Sequence, residues 1–311
     1  MKRGVYTLAN DRVYDWLVAF LESFRAQDPD LPLRVIPFDE RIDRVAGISK
    51  RYDFEILRLP EYEELEQIGR AFHPNDRMWA HAYRKLAVFW GPFEKFAFFD
   101  SDIVLLEPLS ELFDRAEGSA ADFICGDIDM DRCFLPGRLR DELVASGHVT
   151  GFNTGFFVSR QNALSLEGLR RLAARGLEVR DGFAPAYGEQ PFINWCVDAA
   201  GMEVLPYHEL MPDVCLSTWA QRTPIRRVDG VWRLLDTSAP DAGRRMPWLH
   251  WAGSGLDLRM PNVGIFLRHR LAHASPLDAG RVLGHWASNS SRRVRRAAAR
   301  RVARLLPAPA A

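Results

Sequence analysis

The sequence predicts an α/β fold, a mainly parallel, twisted sheet with helices on both faces. Three observations predict it. The chain opens in strand–helix–strand order: an apolar run at 5–9, a polar corner at Asn10-Asp11, a helical pattern, and a second strand, LPLRVIPFD, ending at Asp39. Two apolar runs, at 96–99 and 103–106, have the length of buried strands rather than helices. The 311 residues, 47% hydrophobic and 26% charged, are of ordinary globular composition and suffice for a sizeable core.

Each element follows from its own spacing. The first helix is read from Tyr14, Leu17, Val18, Leu21 and Phe24, which recur every three or four residues. Residues 79–90, WAHAYRKLAVFW, read as a helix closed by Gly91-Pro92. Further strands are expected at 121–125, 155–159 and 202–205. A helix beginning near Gln190 carries Phe192, Ile193 and Val197 on one side. From about residue 266 the pattern degrades into Arg- and Ala-rich sequence. The expected division is therefore a body at 1–265 and a basic helical tail at 266–311.

Composition narrows the function classes. No run of about 18 apolar residues is present, which argues against a membrane-spanning helix. The opening MKRGVYTLANDRVYDW lacks the apolar stretch of a secretion signal. Cys125, Cys133, Cys196 and Cys215 show no Cys-x-x-Cys spacing, so small, reduced, buried side chains in a cytoplasm are expected rather than a zinc or redox site. After Asp278 there are eight arginines and no acid. Residues 1–278 therefore hold 33 basic and 41 acidic side chains, a net charge of about −8. An acidic body argues against a nucleic-acid partner. In the tail, Val294, Ala298, Val302, Leu305 and Leu306 fall at helical spacing among seven arginines. That pattern suits a helix lying on an anionic membrane, at the inner face of the cell membrane; a solvated tail is the alternative.

The chemistry centres on Asp100-Ser101-Asp102, which follows the apolar run 96–99 directly. Ligands of open α/β sheets bind outside the carboxyl ends of strands. Two carboxylates beside a core are costly unless compensated, and a hard divalent cation compensates them while also holding substrate phosphates. The small Ser101 leaves room for those phosphates. The same pattern fits a haloacid-dehalogenase-type phosphatase, with Val104 and the later acids Asp127 and Asp131 in support. Against it, that family's nucleophile sits on the first strand and its acidic motif lies far downstream.

In its order of motifs the chain resembles glycosyltransferase family 8, over roughly residues 4–257. YTLANDRVY is similar to the family's first strand and corner, and by this resemblance Leu8, Asn10 and Tyr14 contact the nucleotide. YRKLAVFWGPFEKFAFFDSDIVLLEPLSELF resembles its helix, strand and Asp-x-Asp; Lys85 would touch the donor sugar or its phosphate, and Arg77 stands near a phosphate-contacting arginine. Asp127 resembles a sugar-binding acid. GFNTGFFVS places Asn153 at the donor sugar. GEQPFIN sets Gln190 beside the anomeric carbon and Glu189 on sugar hydroxyls. LHWAGSGLD resembles the His-x-x-Gly-x-x-Lys closing motif, with His250 as third metal ligand and Gly253 at the diphosphate.

The resemblance implies a GT-A-type, Rossmann-like fold, a UDP-sugar donor, Mn²⁺ or Mg²⁺, transfer of a hexose with retention, and a glycan or lipid-linked acceptor. There are two departures: Leu256 replaces the closing lysine, and Glu189 stands where the family has Asp. Leu256 keeps open the alternative of a non-catalytic nucleotide-sugar binder or scaffold. Plainer readings also exist for the other residues. His250 could be a satisfied core histidine, Asn153 a turn residue and Lys85 a snorkelling surface lysine. Trp219 and Trp251 are candidates for stacking on a sugar.

Overall fold

A computed structural model describes residues 2–147 and 149–303. The central sheet has seven strands: β1 (Arg3–Ala9), β2 (Leu33–Pro37), β3 (Glu55–Ile56), β4 (Lys95–Phe99), β6 (Phe123–Cys125), β7 (Phe156–Arg160) and β8 (Val204–Pro206). Their spatial order is β3-β2-β1-β4-β7-β6-β8. Two small antiparallel pairs complete the strands: β5 (Ile103–Leu105) with β11 (Trp248–His250), and β9 (Ile225–Val228) with β10 (Val231–Leu234). The sheet is mainly parallel, as expected; only β7 runs against its neighbours β4 and β6.

The helices are α1 (Tyr14–Gln27), α2 (Asp43–Ala46), α3 (Tyr62–Phe72), α4 (Arg77–Ala82), α5 (Ser110–Glu117) and α6 (Arg138–Ala145). They continue as α7 (Leu166–Val179), α8 (Gln190–Ala199), α9 (Tyr207–Leu210), α10 (Val263–Arg270) and α11 (Pro276–Ala303). None is long and apolar enough to cross a membrane.

Side chains alternate across a strand, so a sheet covered on both sides needs apolar residues at successive positions. In β4, Phe96 and Phe98 enter the core under α3 and α8, while Ala97 and Phe99 enter the core under α1. β1 divides in the same way, Tyr6 and Leu8 against Val5 and Ala9. This two-sided burial suits a central strand, and Asp100 follows at its carboxyl end, lining a cleft.

Residues 79–90 depart from a single helix. α4 ends at Ala82, and Tyr83–Trp90 continues as a 3₁₀ helix. Every residue from 83 to 89 is buried. The segment therefore answers to packing on all sides rather than to one apolar stripe, and tertiary contacts override the α-helical period.

A third core gathers Trp16, Val104, Leu249, Trp251, Phe266, Val282 and Trp286. Packing thus runs on through α10 and the first half of α11, with no break at residue 265. Leu305 and Leu306, part of the apolar face expected in the tail, lie outside the described residues.

Candidate active site

β4 delivers Asp100, whose N–H donates to the Gly155 carbonyl at 2.7 Å, tying the end of β4 to the start of β7. The turn through Ser101 and Asp102 leads into β5, which pairs with β11 so that Ile103 lies opposite His250. The Trp251 N–H donates to the Asp102 carbonyl at 3.0 Å. Two adjacent strands thus bring Asp102 and His250 together, 148 residues apart in sequence though they are. One ligand atom each from Asp100, Asp102 and His250 lies within 4.8 Å of the others. His250 Nε2 is 3.2 Å from Asp102 Oδ1. That oxygen is nevertheless buried without a well-formed hydrogen bond. An acceptor left in this state costs free energy unless a cation approaches it. A Cβ on Gly155 would stand 2.3 Å from His250 Cε1, 2.7 Å from Asn153 Oδ1 and 2.9 Å from Asp100 Oδ2. Only glycine lets these three side chains converge.

Lys85 does not snorkel. Its side chain is 3% exposed and lies between two carboxylates, with Nζ 2.7 Å from Glu189 Oε1 and 3.2 Å from Asp100 Oδ1. Nζ also donates to the Thr154 carbonyl at 3.1 Å. Burial works against the ammonium, but Asp100 and Glu189 outweigh it and hold the Lys85 pKa above its usual range. Burial pushes the Asp100 carboxyl up, Lys85 and His250 oppose this, and Asp102 and Glu189 add to it. For His250 burial favours the neutral ring, yet Asp102, Asp100 and Asp127 together raise its pKa.

Gln190 opens α8 with its amide fully engaged. Its Oε1 accepts from Asn153 Nδ2 at 3.1 Å and from the Thr154 N–H at 3.3 Å. Its Nε2 donates to the Arg132 carbonyl at 3.3 Å and to Cys133 Sγ at 3.4 Å. Asn153 Oδ1 accepts from the Gly155 N–H at 2.8 Å. Asp127, in the left-handed region at φ 52°, accepts from the Thr218 N–H and Oγ1 at 3.0 and 2.7 Å.

A cleft of about 360 Å³ opens beside the two aspartates. Leu8, Asn10, Ser101, Lys85 and Glu189 line it, as do Asp100 and Asp102. Phe38, Trp79 and Arg12 also line it, although no local pattern singles them out in the sequence. Trp79 is seated by Gly188, whose φ of +58° puts an added Cβ 2.2 Å from the indole.

Neither a protein-family model nor a curated protein sequence matches this chain. Solved structures do. The galactosyltransferase LgtC, in complex with donor and acceptor sugar analogs, superposes with a TM-score of 0.56 at 14% identity, covering 90% of this chain and 100% of its own. WbbM, a bifunctional glycosyltransferase in its apo form, gives 0.57 at 13% identity, covering 90% of this chain and 51% of its own. The fold is that of the GT-A glycosyltransferases.

In this GT-A fold some residues singled out from sequence fall elsewhere. The Tyr14 ring lies under Arg44, 3.5 Å from its Cζ, and lines a small separate cavity with Glu22 and His273. Arg77 is exposed at the start of α4, outside the lining of the cleft. Gly253, at φ +67°, sits exposed in the loop after β11. Trp251 is fully buried against Phe266, and its Nε1 donates to the Pro261 carbonyl at 2.7 Å, so it cannot stack on a sugar. Leu256 packs on the third core, and its carbonyl accepts from Asn289 Nδ2 at 3.0 Å. The four cysteines are buried and free; burial pushes the thiols of Cys133 and Cys215 up to about 12.

Proposed function

We propose that the protein is a metal-dependent glycosyltransferase that moves a hexose from a UDP-sugar to a glycan or lipid-linked acceptor, with retention of anomeric configuration. The observation that carries this reading is the convergence of Asp100, Asp102 and His250 beside the cleft, with Asp102 Oδ1 buried, near the His250 ring and without a well-formed hydrogen bond. Two carboxylates and an imidazole suit Mn²⁺ or Mg²⁺, and the orphaned oxygen fits a cation. Bound there, the ion supplies positive charge to neutralise the departing diphosphate. The likeness to LgtC, solved with donor and acceptor analogs, supports the reading, as does that to an LgtC variant carrying glutamate for an active-site glutamine.

The chain's own side chains divide the remaining work. Leu8, Asn10 and Phe38 border the part of the cleft suited to the nucleotide. Lys85 holds Glu189 and Asp100 in fixed positions, so that Glu189 Oε2 faces sugar hydroxyls. Asn153 and Gln190 stand at the anomeric centre, with Asp127 fixed close by through Thr218. The Gln190 oxygen already accepts two hydrogen bonds and is a poor nucleophile. Attack from the leaving-group face, with the departing phosphate taking the acceptor proton, therefore accounts for retention better than a covalent intermediate. The arginine-rich half of α11 would hold the enzyme on an anionic membrane, close to a lipid-linked or envelope glycan.

One observation favours a second reading, nucleotide-sugar binding without transfer: Leu256, partly buried against the third core, takes the place of the family's diphosphate-clamping lysine. UDP release from a panel of UDP-sugars, with Mn²⁺ and with a chelator, separates the two. The Asp102→Asn variant keeps the size of the side chain and removes its charge. Its Mn²⁺-dependent UDP affinity is expected to collapse while the fold survives. If Mn²⁺ strengthens UDP binding to that variant as in the unaltered protein, the metal site is wrong.

A further inference from the structure

Next to Gln190 and His250, outside the lining of the cleft, stands a group that the donor chemistry leaves unused. Arg132 places its guanidinium flat over Trp219, with Cζ 3.8 Å from the ring centroid and the Tyr187 ring 5.9 Å away. Its Nε donates to Asp129 Oδ2 at 2.9 Å. Among the described residues, Nη1 and Nη2 take part in no hydrogen bond, and the side chain is 33% exposed. Both supports belong to the reacting centre. Trp219 is the β-bridge partner of His250, and the Arg132 carbonyl accepts from Gln190 Nε2 at 3.3 Å. None of Arg132, Trp219 and Tyr187 lines the nucleotide cleft. The acids close by in sequence are engaged elsewhere, Asp127 with Thr218 and Asp131 with Arg140.

An arginine has five N–H donors in a rigid plane, and stacking on an indole fixes that plane. With Nε held by Asp129, the outer edge is left as a two-pronged donor, the shape that matches a carboxylate or phosphate. A half-exposed pair with Asp129 adds little stability by itself. A stacked guanidinium whose outer edge is unused, next to Gln190, is therefore better explained by a ligand.

We infer that Arg132 forms an anion-recognising acceptor subsite, and that the acceptor sugar carries a carboxylate or a phosphate next to the hydroxyl that is glycosylated. This rests on the transferase reading above. It also changes the part assigned to Trp219: one face already carries Arg132, so the indole acts as the guanidinium's platform.

The test measures binding of glucose, glucuronic acid and glucose 6-phosphate to the protein saturated with Mn²⁺ and UDP. At least one of the two anions should bind roughly tenfold or more tightly than glucose, and which one does distinguishes carboxylate from phosphate. Arg132→Gln should erase that preference, and Arg132→Lys, a charge without the fork, should keep only part of it. UDP affinity should hold in both variants, since Arg132 lies outside the cleft. No anion preference in the unaltered protein, or a preference that survives Arg132→Gln, overturns the inference. If UDP and Mn²⁺ themselves do not bind, the transferase reading fails instead.

Discussion

Lys85 shows how much a single side chain can carry. It has no solvent to fall back on, and it balances Glu189 and Asp100 across the wall of the cleft. Removing one partner of a buried ionic cluster strands the others, typically at a cost of about 3–5 kcal/mol. Lys85→Met, close in length and without charge, is expected to lose about that much in urea unfolding at neutral pH. A loss below about 1 kcal/mol would mean that Glu189 and Asp100 find water without it. The sequence pointed to Asp100 and Asp102 because two acids follow a buried strand, and to Lys85 and His250 through the resemblance of their segments to glycosyltransferase family 8. It could not give directions. Tyr14 lies one helical turn beyond Asn10 but faces Arg44, and nothing local to Arg132 or Gly155 announces what they meet, since their partners Trp219 and His250 lie 87 and 95 residues away.

Among the elements, β1, β2 and β4 to β8 were legible, while β3, β9, β10, β11 and the packing of the C-terminal helices were not. β1, β2 and β4 are apolar on both faces, which a single sequence displays openly. The reversal of β7 is invisible, because strand direction is a property of the connection rather than of the strand. A helical tail was expected from residue 266, but the packing of α10 and α11 on the body was missed for another reason. Their buried residues, chiefly Phe266, Val282 and Trp286, are sparse among arginines, and only the facing Trp16 and Trp251 make them a core. α10 also carries a measurable pH signature. Burial, with the Arg268 charge adding to it, pulls His269 down to about 4 from an ordinary value of 6.5. The folded state therefore resists a proton that the unfolded chain accepts. Stability from this group is present above pH 6.5, falls as pH drops from 6.5 towards 4, and levels off below that. The ceiling is about 3 kcal/mol, less whatever solvent screening removes. His269→Gln should flatten the unfolding free energy across that window; an unchanged slope would assign acid sensitivity elsewhere.

For the whole molecule the governing quantity is the separation of charge. Residues 1–278 carry about −8, from 33 basic and 41 acidic side chains, and would be repelled by an anionic bilayer. Any attraction must come from the sequence after Ser291, where Arg292, Arg293, Arg295, Arg296, Arg300, Arg301 and Arg304 follow. Buried Trp286 and Val282 fix the near half of α11 to the third core, and Ser290 Oγ accepts from the Leu258 N–H at 2.9 Å. The basic half is thus joined to the body by continuous helix as far as Ala303, so docking the tail would also orient the body. At about 1 kcal/mol per basic residue near an anionic surface, seven arginines set a ceiling of about 7 kcal/mol, reduced by the repulsion of the acidic body. Truncation after Ser291 removes all seven and spares the Ser290 and Trp286 contacts. The full chain should sediment with phosphatidylserine-rich liposomes at low salt and release as the Debye length shortens. The truncated chain should stay in solution while still binding UDP with Mn²⁺. Equal sedimentation of the two chains would place the membrane contact on the body, and salt-insensitive binding would make it apolar rather than electrostatic.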